Sequence, residues 1–137
     1  MKIVINSDYG GFSLSDEAIL AYGRKKGLNL VKDENTSWNI SIFYKDLADK
    51  ENYFEDREIP RNDPDLVSVV EDLGEASYGF AASLKIVEIP EDVDWYVEEN
   101  DGREWVAEKH SIVFSTPEVN WLAFLFMHLH KRKPKPW

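Results

Sequence analysis

The clearest periodicity in the chain lies between residues 59 and 90. Leu66, Val69, Val70 and Leu73 fall at i, i+3, i+4 and i+7, one apolar stripe of a 3.6-residue period. Asp63 is a good N-cap, and Pro64 suits the first helical position, where its missing N–H costs nothing. Asp65 sits in the first turn, where the helix dipole favours negative charge. Gly74 and Gly79 mark where this helix weakens and ends. After an Ala/Ser-rich turn, Leu84 to Ile89 reads as a strand with buried neighbours, and Pro90 stops it.

The pattern is readable on both sides of this unit. Lys2 to Asn6 reads as a short strand, and Ser7 to Phe12 as a loop with consecutive glycines. Ser13 or Ser15 caps a helix with Asp16 and Glu17 in its first turn and Leu14, Ala18, Ala21 and Tyr22 on its inner face. Gly27 is its expected stop. Leu28 to Lys32 and Trp38 to Tyr44 read as strands, and Asp46 to Asp56 as a charged excursion around Tyr53 and Phe54. Val93 to Glu99 and Arg103 to Glu108 form a hairpin about Asn100-Asp101-Gly102, whose residue types tolerate the positive φ of a tight turn. The register placing Trp95 and Val97 on one face with Trp105 and Ala107 is the expected one. From Val119 to Leu129 the chain is apolar almost all round, with Thr116 and Pro117 suited to open a helix. That stretch is too short to span a bilayer, which needs about 20 apolar residues.

These elements predict an α+β fold: a mixed, largely antiparallel sheet with the two main helices on one face and an added C-terminal helix. Residues 1–110 form an acidic α+β domain, and residues 111–137 are an extension carrying the apolar helix and a basic tail. The 137 residues and 43% hydrophobic content suit one core.

Charge and composition then narrow the chemistry. The net charge is −10, but residues 111–137 hold one acid, Glu118, against Lys131, Arg132, Lys133 and Lys135, so residues 1–110 carry −13. A body so acidic repels nucleic-acid backbones, and nucleic-acid binding by the main domain is not expected. The absence of cysteine excludes disulfides, thiolate catalysis and Cys-based metal sites, and fits a reducing cytoplasm. The opening Met1 to Asn6 turns polar too soon for a secretory apolar region.

No catalytic signature emerges: catalytic residues, metal site and cofactor are each expected to be none. His128 and His130 lie two apart and point to different faces of a helix. The Tyr9-Gly10-Gly11-Phe12 loop lies between a strand and a helix, where phosphates often bind, though it lacks the dinucleotide and P-loop fingerprints and faces Asp16 and Glu17. Arg61 pairs with nearby acids such as Asp63 or Asp65, or offers a planar fork to an anion. The candidate ligand-binding set is Tyr9, Gly10, Gly11, Phe12, Arg61, Trp105 and His110: backbone donors, one guanidinium, aromatic walls and one titratable ring. The apolar 119–129 stretch reads as a helix buried in the monomer core or, where a monomer of this size cannot bury it all, as the contact of a homo-oligomer through Trp121, Phe124, Leu125 and Phe126. A membrane-surface role assisted by the basic tail is the less favoured reading.

Three blocks resemble a family of small proteins of tailed bacteriophages and prophages. They are Met1-Lys2-Ile3-Val4-Ile5-Asn6 with Tyr9-Gly10-Gly11-Phe12 and Ser15; Ile59 to Val67 with Val70-Glu71-Asp72-Leu73-Gly74; and Leu84 to Pro90 with Asp92-Val93, Trp95, Asp101-Gly102, Glu104-Trp105, Ala107-Glu108 and His110. The likeness covers most of residues 1–110. The resemblance brings no established enzymatic activity with it, and implies a source in which the protein acts in the host cytoplasm. The expectation is therefore a non-enzymatic phage accessory protein that binds a small anionic or nucleotide-like ligand to counter host defence. Two alternatives stay beside it: a module that binds a host or phage protein through its acidic surface or C-terminal helix, and a small hydrolase using Asp, Glu and His110.

Overall fold

In the computed structural model the described residues are 1–34 and 41–109. Their element order is β1 (Lys2–Asn6), α1 (Asp16–Lys25), β2 (Val31–Lys32), β3 (Phe43–Tyr44), α2 (Pro64–Leu73), β4 (Leu84–Glu88), β5 (Trp95–Asn100) and β6 (Arg103–Glu108), with 3₁₀ turns at Asp56–Glu58 and Gly74–Ser77. The fold is α+β. Among the described residues the strands form three two-stranded antiparallel sheets, β1–β4, β2–β3 and β5–β6. The expected C-terminal helix and the start of the expected 38–44 strand lie outside the described residues. The expected 28–32 strand shortens to Val31–Lys32.

Both helices start and stop where their caps dictate. Ser15 caps α1, its hydroxyl accepting from the Ala18 N–H, and Gly27 follows the last turn at φ 72. Asp63 caps α2, accepting from the Asp65 N–H, and Gly74 ends it at φ 56. The buried face of α1 is Ala18, Ile19, Tyr22 and Gly23. Ile19 joins the expected Leu14, Ala18 and Tyr22 in the core, and Ala21 packs against it half-buried.

The β1–β4 ribbon is the middle layer. In β1, Val4 faces the core shared with Leu66, Val69 and Val70 of α2 and with Ala18 and Tyr22 of α1. Ile3 and Ile5 face the other way, onto Val87, Ile89 and Val106, with Trp95 and Val97 at the margin. Alternating side chains on one strand therefore fill two cores, each fully buried Val or Ile contributing about 1.5–3 kcal/mol. The helices cover one face of the ribbon and the β5–β6 hairpin the other.

The hairpin corrects one expectation. Its two-residue turn, Asp101 at φ 54 and Gly102 at φ 85, pairs Asn100 with Arg103 and hence Val97 with Val106 and Glu98 with Trp105. A two-residue loop always sets odd positions against even ones. Trp95 and Val97 therefore share a face with Val106, while Trp105 and Ala107 share the opposite face with Tyr96 and Glu98.

The end of α1 is tied to the start of α2 by a titratable cluster. The Tyr22 hydroxyl donates to Asp63 Oδ2 at 2.8 Å, and Lys26 Nζ lies 3.0 Å from carboxylate oxygens of both Asp63 and Asp65. Burial alone would push the Asp63 carboxyl up; hydrogen bonds from Lys26, Tyr22 and the Asp65 backbone outweigh it and hold the group below its ordinary value. Burial, and then the bond to Asp63, push the Tyr22 phenol from 10.0 to about 12. A phenol raised in the folded state stabilises it below the unfolded pKa, and that contribution is lost as pH rises from about 10 to about 12. Tyr22→Phe should therefore have a shallower fall in Tm across that window than the parent. Superimposable alkaline limbs in a pH series of thermal melts would break the link between Tyr22 and Asp63. The Asp63 contribution has the opposite sense, being lost as pH falls below the normal carboxylate range.

Candidate functional site

The loop after β1, the residue ahead of the α2 cap and the turn of the hairpin meet at one edge of β1. Strand β4 leaves the Val4 and Asn6 N–H groups on the other edge unpaired, and a buried donor must find an acceptor. Val4 N–H donates to the Arg61 carbonyl at 2.8 Å, and Asn6 N–H to Glu104 Oε1 at 2.8 Å. Arg61 then closes the arrangement through its side chain. Its guanidinium pairs with both oxygens of Glu104, Nη2 to Oε2 at 2.9 Å, and lies 3.6 Å from the centroid of the Phe12 ring. Glu104 is 7% exposed and Phe12 3% exposed. The Asn6 amide adds bonds to the carbonyls of Asp8 and Gly102 and accepts from Ser83 N–H.

The glycines of this loop serve close backbone approach. A Cβ on Gly102 would fall 2.2 Å from the Gly11 nitrogen, and one on Gly10 2.8 Å from Ala81 Cβ. Gly10 N–H already donates to the Asp101 carbonyl at 3.2 Å.

Of the candidate ligand-binding residues, the structure brings together Gly10, Gly11, Phe12 and Arg61. Tyr9 is in the same loop and is 57% exposed. Trp105 follows Glu104 directly, but alternation along β6 sends its ring to the other side of the hairpin, where Nε1 donates to Glu98 Oε2 at 2.9 Å. His110 lies outside the described residues, as do Trp121, Phe124, Leu125 and Phe126. The acid that Arg61 meets is Glu104, 43 residues away. Neither Asp63 nor Asp65 is its partner; both are bound to Lys26. The guanidinium that an anion would need is thus engaged on its fork by a carboxylate and on its face by a ring.

A different feature is open. A cleft of about 980 Å³ lies between the start of α1, the 41–43 and 53–57 segments, and Phe80. Ile19, Phe43, Tyr53, Phe54 and Phe80 give it apolar and aromatic surface. Its described charged residues are Asp16, Glu55 and Asp56 against Arg57. Asp16 is held by Lys32 and Ser41, each at 3.0 Å, and Asp56 accepts from Leu14 N–H at 2.9 Å. Arg57 Nε is committed to the Phe12 carbonyl at 3.3 Å.

Two aromatic rings at this cleft face solvent. Tyr53 is 54% exposed, and Phe80 is 98% exposed. Phe80 sits in a turn closed by Ala82 N–H to the Gly79 carbonyl, with Ala81 at φ 59. A left-handed alanine costs about 1–2 kcal/mol, so local strain accompanies an aromatic ring left in water. Sequence reasoning noted Tyr53 and Phe54 inside a charged stretch but gave them no role, and passed over Phe80. The available signal was that none of the three has a place in a periodic apolar stripe.

Among the described residues no group of three or more His, Cys, Asp or Glu is placed to hold a metal ion, and no helix is long and apolar enough to cross a membrane. Searches of family models, curated proteins and solved structures found no match to this chain.

Proposed function

We propose that this protein is a non-enzymatic binding module that holds a basic, aromatic-containing segment of another protein in the cleft beside α1. The observation that carries this is Phe80, 98% exposed at a cleft that combines aromatic surface with three carboxylates. Exposed aromatic rings are poor choices for solubility and good anchors for a partner. Asp16 already holds Lys32 and Asp56 the Leu14 N–H, so Glu55, exposed beside these rings, is the carboxylate offered to a cation, which gains both ion pairing and the negative ring face. A small anionic ligand at Tyr9–Phe12 and Arg61 finds less support, because it would have to displace Glu104 from the guanidinium. On the phage resemblance, the partner is a host or phage protein met in the host cytoplasm.

The test is fluorescence anisotropy with a labelled octapeptide alternating arginine and tyrosine, against one alternating glutamate and tyrosine. The basic peptide should bind, more weakly as salt rises. Phe80→Ala should weaken it about tenfold, or about 1.4 kcal/mol, while leaving the melting profile unchanged. Equal binding of both peptides, or indifference to Phe80→Ala, would refute the reading.

A further inference from the structure

Resting on that reading of the cleft, we infer that the segment it holds carries an acidic residue beside its basic and aromatic ones, and that Arg57 is the residue that selects the acid. Asp16 and Asp56 are already engaged, the first by Lys32 and Ser41 and the second by the Leu14 N–H. Glu55 and Arg57 remain, two residues apart and both exposed. The Glu55 carboxylate has no hydrogen bond or ion pair among the described residues; only its backbone carbonyl is used, accepting from the Glu58 N–H. Arg57 donates through Nε to the Phe12 carbonyl at 3.3 Å, and neither Nη meets an acceptor among the described residues. The cleft therefore offers one open charge of each sign.

The bond from Nε to Phe12 holds the guanidinium in place and leaves the edge with both Nη groups for a carboxylate, which a planar fork grips through two oxygens. Consecutive loop residues tie this group to Phe80: Phe12 holds Arg57, and the Ser13 hydroxyl donates to the Phe80 carbonyl at 3.3 Å. Glu55 is extended, at φ −113 and ψ 112. In an extended partner, a base and an acid two residues apart lie on one side, and the residue between them points the other way. A base–aromatic–acid run thus meets Glu55 and Arg57 at their own spacing. Its ring is left for Phe80, which borders the cleft from a different segment. The acidic body opposes a segment whose charges are all negative. The acid is a second, selective contact and does not replace the base.

Fluorescence anisotropy on the full chain tests this with labelled, end-blocked heptapeptides. They are Ser-Ser-Arg-Tyr-Asp-Ser-Ser, the reversed order Ser-Ser-Asp-Tyr-Arg-Ser-Ser, and each of these with asparagine in place of aspartate. In at least one order the aspartate peptide should bind about threefold to fivefold tighter than its asparagine counterpart, the upper range of an exposed ion pair. The advantage should shrink as salt rises. This comparison uses the unaltered protein, so it does not depend on any variant folding. Arg57→Gln should abolish the advantage. Arg57→Lys should restore little of it, since an ammonium cannot hold the Phe12 carbonyl and grip both carboxylate oxygens. Glu55→Gln should weaken the aspartate and asparagine peptides by the same factor.

Equal binding of aspartate and asparagine peptides in both orders, or an advantage that survives Arg57→Gln, would overturn the inference. The proposed function would still stand if Phe80→Ala weakened those same peptides. Binding of the arginine–tyrosine octapeptide but of none of the heptapeptides would overturn the inference in the same way. An aspartate advantage lost in Arg57→Gln but indifferent to Phe80→Ala would instead remove the proposed function and keep the contact at Arg57. Absence of binding by every peptide would remove both.

Discussion

Arg61→Ala is expected to destabilise the folded protein by about 3–5 kcal/mol, the scale of removing one partner from a buried ion pair. The loss is large because two groups depend on the guanidinium. Glu104, 7% exposed, would lose both guanidinium bonds and retain the one from the Asn6 N–H. Phe12 would lose the planar cation 3.6 Å from its ring centroid. The Arg61 carbonyl bond to Val4 would survive, since it belongs to the backbone. The paired change Arg61→Met with Glu104→Gln should recover most of the stability. The glutamine carbonyl can still accept from Asn6, and no unpaired charge is buried. Urea unfolding midpoints of the parent and both variants decide the matter. A single-variant loss below about 1 kcal/mol would put the pair in the class of exposed salt bridges.

Gly102→Ala should cost about 2–5 kcal/mol through a different mechanism. Its φ of 85 is unfavourable for any residue with a Cβ, at about 1–2 kcal/mol. The added methyl would lie 2.2 Å from the Gly11 nitrogen and 2.8 Å from its Cα, both backbone atoms that have no rotamer to change. Forcing them apart adds about 1–3 kcal/mol and pulls the hairpin turn away from the loop after β1. Gly27→Ala is the matched control. Its φ of 72 is similarly left-handed, but no atom lies within 4 Å of the added carbon, so only the backbone part should appear. Equal losses at the two glycines would show that contact with Gly11 is not what restricts position 102.

Local signals were enough wherever one element carries its own instructions. Ser15 and Asp63 cap their helices as residue type and position required, and Lys2–Asn6 emerged as a strand with its predicted bounds. Asp101-Gly102 marked its turn for the same reason, since few residue pairs tolerate positive φ twice in succession. The strand expected over 28–32 shortens to Val31–Lys32, because Leu28 and Leu30 pack into the core outside any ladder; of the described residues 41–44, the strand holds Phe43 and Tyr44. The loop glycines and Arg61 were singled out for ligand chemistry, and four of the chosen residues do come together. What draws them together is the unpaired edge of β1.

The sequence by itself determined the α+β class, the two amphipathic helices, the hairpin and the acidic character of residues 1–110, because each rests on spacing, caps, turn types or a sum of charges. Tertiary structure alone decided three further things. It made β1 a strand buried on both faces, since an alternation of Ile3, Val4 and Ile5 cannot say what covers either side. It assigned Arg61 to Glu104 rather than to the nearer acids, because Asp63 and Asp65 were already bound to Lys26 across the helix junction. It left Phe80 in water at the edge of a carboxylate-bearing cleft, a placement that depends on segments 41–43, 53–57 and 79–82 meeting beside α1. Spacing acts within a segment. Burial, charge pairing and the shape of a cleft arise between segments, and are settled only when distant parts of the chain compete for the same partners.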